Sequence, residues 1–182
     1  MKQKKTYLLI TVIIVSIFGF ILFSNYSLKL FFGEKIWAHK INTINRLNKA
    51  QNEFKGLELD VVFYNDSNSF DVNHPPDSSI NLSLQSYLSY QDRSLKTQYW
   101  IDFKNLNTEN QKESINQLNR LISEYKIKKN RVIVESKQLL LLQQFSDSKL
   151  KTAYYLPSNL GELDSTHLDI ELNSKKSYRL SS

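Results

Sequence analysis

The stretch Leu57–Phe63 reads LELDVVF, an apolar strand pattern that carries two carboxylates. Side chains alternate between the two faces of a β-strand, so both leucines lie with Val61 on one face, and Glu58 and Asp60 share the other. Two carboxylates spaced in this way lie about 6.6 Å apart along the strand. On the inner side of an apolar strand they require a partner, and Mg²⁺ or Ca²⁺, which take hard oxygen ligands, would serve. The alternative interpretation is a solvent-exposed polar face on an edge strand.

A second strand repeats this arrangement. Tyr99–Lys104 reads YWIDFK, and its period of two places Trp100, Asp102 and Lys104 on one face. A third carboxylate and a cation therefore lie at the end of this strand. Taken alone, Asp102 and Lys104 are equally consistent with a structural ion pair.

Short apolar runs alternate with helical patterns along the rest of the chain. Further strands are predicted at Lys35–His39, Arg131–Glu135 and Thr152–Leu156, with a short extension at Phe70–His74. Helices are predicted at Ile44–Phe54, Leu82–Tyr90, Ile115–Tyr125 and Gln138–Phe145. Thr108 followed by Gln111 fits a capping box before the third helix. Strand–helix alternation predicts an α/β fold in which helices cover parallel strands.

Two of the three histidines lie at predicted strand ends, beside the carboxylates. His39 ends the first strand, and His74 ends the short extension and precedes Pro75 and Pro76. Histidines in such positions can serve as general acid and base near neutral pH. A structural role is the alternative for each. His167 lies in a polar stretch and is predicted to be a surface residue.

Composition excludes several classes of protein. Among 182 residues, 41% are hydrophobic and 12% aromatic, too many for a disordered chain. The absence of cysteine excludes disulfide scaffolds, thiolate zinc sites and cysteine nucleophiles. The net charge of +6 is partly concentrated around the N-terminal apolar segment, so no nucleic-acid partner is predicted.

The N-terminus is typical of a membrane signal. Tyr7–Phe23 carries no charge, and Lys2, Lys4 and Lys5 precede it. This pattern predicts residues 1–34 to be a cytoplasmic tip, one transmembrane helix and a short stalk. The functional domain, residues 35–182, would then lie outside the cytoplasm on a single-pass membrane protein. A cleaved signal peptide, which would leave a secreted form, is the alternative.

The order of these motifs resembles the phospholipase C-like phosphodiesterase superfamily of TIM barrels. Glycerophosphodiester phosphodiesterases have a strand-end His, then E-x-D, then another His. Sphingomyelinase D-type enzymes are more similar, with H-x-x-N, E-x-D and D-x-K. The menorin family is the most similar, with H-x-V-N-[ST], E-x-D-V, H-P-P and D-F-K. In this chain those motifs are His39–Thr43, Glu58–Val61, His74–Pro76 and Asp102–Lys104.

The resemblance implies a set of roles. One divalent cation, Mg²⁺ or Ca²⁺, would be bound by Glu58, Asp60 and Asp102. His39 and His74 would form the acid–base pair, and the substrate phosphate would contact Lys104 and Asn42. Active sites of TIM barrels lie at the C-terminal ends of the strands, where these residues fall. Glycerophosphodiesterases differ in having Arg-Gly after the first His, Asp after the second and Glu as third ligand.

The expected protein is a membrane-anchored phosphodiesterase acting on a lipid or glycerophosphodiester-like substrate. Its partners would be the bilayer and that substrate, and its oligomeric state stays open. One alternative is a non-catalytic menorin-like binding or adhesion protein, and another is an unrelated α/β domain with structural polar residues. A TIM barrel takes about 250 residues. Residues 35–182 are therefore expected to form a barrel truncated after five to six β/α units, the sixth of which would begin near Tyr178–Ser182. The alternative is a barrel that is completed by another chain.

Overall fold

A computed structural model of the protein describes residues 2–23 and 35–155. The elements alternate much as the sequence predicts. The helices are α1 (Lys2–Phe23), α2 (Ile44–Ala50), α3 (Leu84–Ser89), α4 (Gln111–Glu124) and α5 (Leu139–Asp147), with a short 3₁₀ helix at Lys129–Arg131. The strands are β1 (Trp37–Ala38), β2 (Gly56–Tyr64), β3 (Ser69–Asp71), β4 (Gln98–Phe103), β5 (Val132–Ser136) and β6 (Lys151–Tyr154).

The strands form one largely parallel sheet in the order β1-β2-β4-β5-β6. β3 is the exception, since it pairs antiparallel with β2. Asp60 lies opposite Asp102, and Asp102 lies opposite Glu135, so three acidic residues stand in register across β2, β4 and β5. A parallel α/β sheet of this kind is consistent with part of a TIM barrel.

One face of the sheet carries the hydrophobic core. Its strand residues are buried because α2 to α5 place their apolar side chains against them, including Leu47, Leu118 and Phe145. Edge-to-face aromatic contacts continue through this core from Phe63 to Phe145, with ring centroids 4.8, 5.3 and 6.2 Å apart along the series. The core therefore lies on the face opposite to the carboxylates and fixes the direction in which they point.

Two local expectations are wrong. β2 lies between β1 and β4 rather than at an edge, so Glu58 and Asp60 are buried and not part of a solvent-exposed face. The capping box is also absent, because Asn110 is the residue that precedes α4. The Asn110 side chain accepts from the Asn107 N–H and donates to the Asn105 carbonyl, so it stabilises the preceding turn instead of the helix end.

The N-terminal segment forms one continuous helix, α1, as predicted for Tyr7–Phe23. Its described large apolar side chains, from Tyr7 to Ile21, are between 44% and 76% exposed, so they do not insert into a core. Within the described part of the chain, no helix meets the length and apolarity required to span a membrane. Leu156, His167 and the strand expected near Tyr178–Ser182 lie outside the described residues.

Candidate active site

Three carboxylates meet at the carboxyl edge of the parallel sheet. Each of Glu58, Asp60 and Asp102 offers an oxygen atom that lies within 4.8 Å of the other two. Glu58 and Asp60 are buried, with 7% and 1% of their surface exposed, and Asp102 is partly buried. The predicted convergence of these side chains is confirmed, and it depends on the parallel register of β2 with β4.

Asn42 holds Asp60 from the loop that follows β1. Its Nδ2 donates to Asp60 Oδ2 at 2.6 Å, and its Oδ1 accepts from the Asp60 backbone N–H at 2.9 Å. Both ends of the amide are thus bound to the same residue. Asn42, expected from the sequence to contact a phosphate, fixes the orientation of a carboxylate in the structure.

The same loop also holds Glu58. The Lys40 backbone N–H donates to Glu58 Oε2 at 2.5 Å. Lys40 has a φ of 54°, in the left-handed region that is costly for a residue with a side chain. Arg46 Nη1 donates to the Lys40 carbonyl at 2.8 Å, which helps to stabilise this conformation. His39 Nε2 lies 3.4 Å from Glu58 Oε2, with 72% of its side chain exposed.

His74 and Lys104 contact the carboxylates from the other side. His74 Nδ1 lies 2.9 Å from Asp60 Oδ1, and 30% of its side chain is exposed. Lys104 Nζ lies 2.7 Å from the same oxygen and also forms an ion pair with Asp102. Nδ1 is thus the ring nitrogen that faces the carboxylate, and Nε2 is left for other partners. His39 and His74 therefore contact different members of one carboxylate cluster.

The charges in this cluster shift one another's pKa values. Burial raises the pKa of Glu58 above its ordinary value, and the neighbouring carboxylates raise it further. Burial also acts to raise the pKa of Asp60, but hydrogen bonds from three side chains outweigh burial and lower it. Burial acts to lower the pKa of Lys104, yet its bonds to two carboxylates outweigh burial and raise it. Glu58 is consequently less well compensated than Asp60.

The residues fit a divalent cation. Three ionised carboxylates and one ammonium leave an excess of about two negative charges, and all the donor atoms are hard oxygens of the kind that Mg²⁺ and Ca²⁺ prefer. Glu58, Asp60 and Asp102 would hold the ion. Burial and the neighbouring carboxylates raise the pKa of Glu58, and a bound cation would favour its ionised form.

A cavity of about 490 Å³ opens beside the carboxylates. It is lined by His74, Pro75, Asp102, Phe103, Lys104, Asn105, Lys137 and Tyr155. These residues lie at or just after the ends of β4, β5 and β6 or in the segment after β3. Because parallel strands present their carboxyl ends at one edge, the cavity and the carboxylates share that edge.

Glu135 belongs to this site although it was not singled out from the sequence. It lies opposite Asp102 in the sheet, and its Oε2 accepts from Trp100 Nε1 at 2.9 Å. Burial raises its pKa, and the Asp102 charge adds to this effect. The signal was present in the sequence, since Glu135 ends an apolar strand just as Asp102 does.

Comparison with known proteins supports the fold. No protein-family profile matches the chain, and no curated protein matches it. Among solved structures, it is similar to a glycerophosphodiester phosphodiesterase from Parabacteroides distasonis, with 21% identity and a TM-score of 0.52 over 62% of this chain and 57% of that one. A phosphodiesterase from Oleispira antarctica, in complex with the product sn-glycerol-3-phosphate, has 13% identity and a TM-score of 0.53 over 69% of this chain and 68% of that one.

The chain thus spans between about half and two thirds of the length of these enzymes. At such identities the likeness shows the fold alone, a parallel α/β sheet consistent with part of a TIM barrel. Neither structure is a menorin or a sphingomyelinase D, so the closer resemblance to those families stays a prediction.

Proposed function

We propose that this protein is a divalent-cation-dependent phosphodiester hydrolase. The observation that carries the proposal is the convergence of Glu58, Asp60 and Asp102 at the carboxyl edge of the sheet, with His39, His74 and Lys104 beside them. The similarity in fold to two phosphodiesterases supports the same reaction class. Glycerophosphodiesters and phospholipid headgroups are the substrate class that this similarity favours.

The metal would neutralise the bound phosphate and stabilise the negative charge that develops on it. The chain's own residues would carry the proton transfers. His74 Nδ1 faces Asp60 at 2.9 Å, so Nε2 is the nitrogen that would accept or donate a proton at the cavity that His74 lines. His39 is exposed beside Glu58 and would act as its counterpart, so that one histidine deprotonates the nucleophile and the other protonates the leaving oxygen.

Lys104 and Asn42 would bind the phosphate with the donors that remain to them. An ammonium group has three N–H donors, and Lys104 uses two of them on Asp60 and Asp102. The third is available toward the cavity that Lys104 lines. Asn42 has one Nδ2 hydrogen beyond the one bound to Asp60. Both residues would therefore align the phosphate with the carboxylates.

The location of the domain is a proposal that rests on the sequence. Lys2, Lys4 and Lys5 precede the uncharged Tyr7–Phe23 segment, a pattern that favours a cytoplasmic N-terminus and an extracytoplasmic domain. Protease added to intact cells should digest the domain if it lies outside. Protection of the domain in intact cells, with digestion after lysis, would contradict this location.

The function is tested by hydrolysis of a glycerophosphodiester and of bis(4-nitrophenyl) phosphate in Mg²⁺, in Ca²⁺ and with a chelator. We expect turnover with one of the cations and none with the chelator. His39→Ala and His74→Ala should each lower kcat by roughly 10²–10⁴-fold, the usual contribution of a general acid or base. His167→Ala, predicted to be a surface substitution, is the matched control and should keep wild-type activity.

The same assay separates the enzyme from a non-catalytic binding protein. A binding protein that keeps only the fold would bind the cation, measured by calorimetry, without turnover of either diester. Equal activity of all three histidine variants would remove the proposed acid–base pair, even if a phosphodiesterase activity remained.

A further inference from the structure

The cavity beside the carboxylates has a second charged end. Lys104 and His74 line it next to Asp60 and Asp102, whereas Lys137 and Tyr155 line it after β5 and β6. The latter two residues are brought together by the sheet, because Tyr155 N–H donates to the Ser136 carbonyl at 3.2 Å. Lys137 Nζ lies 5.3 Å from the centroid of the Tyr155 ring, within the range of a cation–π contact.

Lys137 differs from Lys104 in its charge balance. Lys104 is neutralised by Asp60 and Asp102, whereas no ion pair joins Lys137 to a carboxylate in the described ranges 2–23 and 35–155. Glu135, two residues earlier on β5, is hydrogen-bonded to Trp100 instead. The β5–β6 end of the cavity therefore presents the exposed ammonium of Lys137, which no carboxylate of the described residues pairs with.

Cavity size sets what reaches that charge. A volume of about 490 Å³ is in the range of small-molecule sites and exceeds the space required by a phosphate group alone. A diester bound with its phosphate at His74 and Lys104 would extend one of its alcohol groups along the cavity toward Lys137 and Tyr155.

We propose that Lys137, positioned on Tyr155, selects phosphodiesters in which this alcohol carries a negative charge. This inference rests on the proposed phosphodiesterase function and adds the substrate class to it. A carboxylate or second phosphate on the alcohol would pair with the free ammonium. Lys104 cannot supply that selectivity, because its charge is already balanced by two carboxylates.

Choline esters are disfavoured by the same geometry. A tyrosine face is a common binding site for quaternary ammonium groups. In this cavity Lys137 already lies over one face of the Tyr155 ring, and its charge would repel a second cation at the ring. Choline-bearing lipids and glycerophosphocholine would thus be poor substrates.

The test uses three sn-glycerol-3-phosphate diesters that differ only in the second alcohol: glycerol, choline or 3-hydroxypropanoate. Release of phosphomonoester by the full chain gives kcat/KM for each. We expect kcat/KM for the anionic diester to exceed that for the choline diester by roughly tenfold. This is the scale expected when one partly exposed charge pair is attractive in the first diester and repulsive in the second. Lys137→Met should reduce this ratio to near one. Lys112→Met, at an exposed position in the first turn of α4, is the matched control and should keep the wild-type ratio.

Two outcomes overturn the inference while leaving the proposed function intact. One is a wild-type enzyme that hydrolyses all three diesters without preference, and the other is a Lys137→Met variant that keeps the wild-type ratio. If no diester is hydrolysed, the proposed function fails, and calorimetric binding of the intact anionic and choline diesters decides the inference. Equal affinities, or a preference that survives Lys137→Met, would then overturn it.

Discussion

The Asn42–Asp60 contact makes a prediction whose size follows from the structure. Asn42→Ala removes one hydrogen bond to an ionised carboxylate, at 2.6 Å, and one from the Asp60 backbone N–H, at 2.9 Å. A bond to a charged group contributes about 1.5–3 kcal/mol, and a neutral one about 0.5–1.5 kcal/mol. The substitution should therefore lower the free energy of unfolding by about 2–4.5 kcal/mol at pH 7.

The pH dependence of this loss identifies its cause. The pKa of Asp60 lies below its ordinary value, so its hydrogen bonds stabilise the fold above the unfolded pKa and lose that effect as the pH falls through the folded one. The difference in the free energy of unfolding between the wild type and Asn42→Ala should hence be constant from neutral to mildly acidic pH. It should shrink only when Asp60 becomes protonated.

Urea unfolding with a chelator present measures the difference at each pH. Asn48→Ala replaces an exposed asparagine on α2 and should change stability by no more than about 0.5 kcal/mol. An Asn42→Ala variant within that same margin of the wild type would refute the reasoning. A raised KM with unchanged stability would show instead that Asn42 serves only the phosphate.

Two further substitutions test the site and the sheet. Glu58→Gln should raise the free energy of unfolding at pH 7 in chelator. The reason is that the raised pKa of Glu58 costs the wild type stability as the pH increases above about 4.5. The stability gained by the variant should therefore vanish near pH 4. In millimolar Mg²⁺ or Ca²⁺ the order should reverse, since only the wild type gains stability by binding the cation; equal stabilisation of both would contradict the metal site. Gly56→Ala should destabilise the fold by roughly 1–3 kcal/mol in urea unfolding, because a Cβ at Gly56 would overlap the Trp37 ring. Gly19→Ala is its control, because an added Cβ there would meet no atom within 4 Å apart from its own helix backbone and chain neighbours, and an equal effect of the two would exclude the overlap.

The alternation of side chains along the strands predicts much of the site without any tertiary contact. The period of two in β2 and β4 separates Glu58, Asp60 and Asp102 from the apolar residues that form the core. This separation is local, since it follows from the direction of successive Cβ atoms along one strand. The alternation of strands with helices likewise predicted the parallel sheet, whose carboxyl edge collects the strand ends.

The capping pattern in the sequence was a less reliable guide, because several polar side chains lie close together before α4. Thr108 and Gln111 have the spacing of a capping box, but Asn110 precedes α4, and its side chain bonds to Asn105 and Asn107. Sequence spacing does not reveal which of these bonds forms, because the bond depends on the backbone conformation of the turn before α4.

The sequence alone therefore determined which side chains share a face and at which edge of the sheet they lie. Tertiary packing places β2 in the centre of the sheet, sets Asp60 opposite Asp102 and Asp102 opposite Glu135, and brings Lys137 to Tyr155. Strand order and register arise from packing between segments far apart in the chain. No pattern within one segment encodes the partner that another segment will supply.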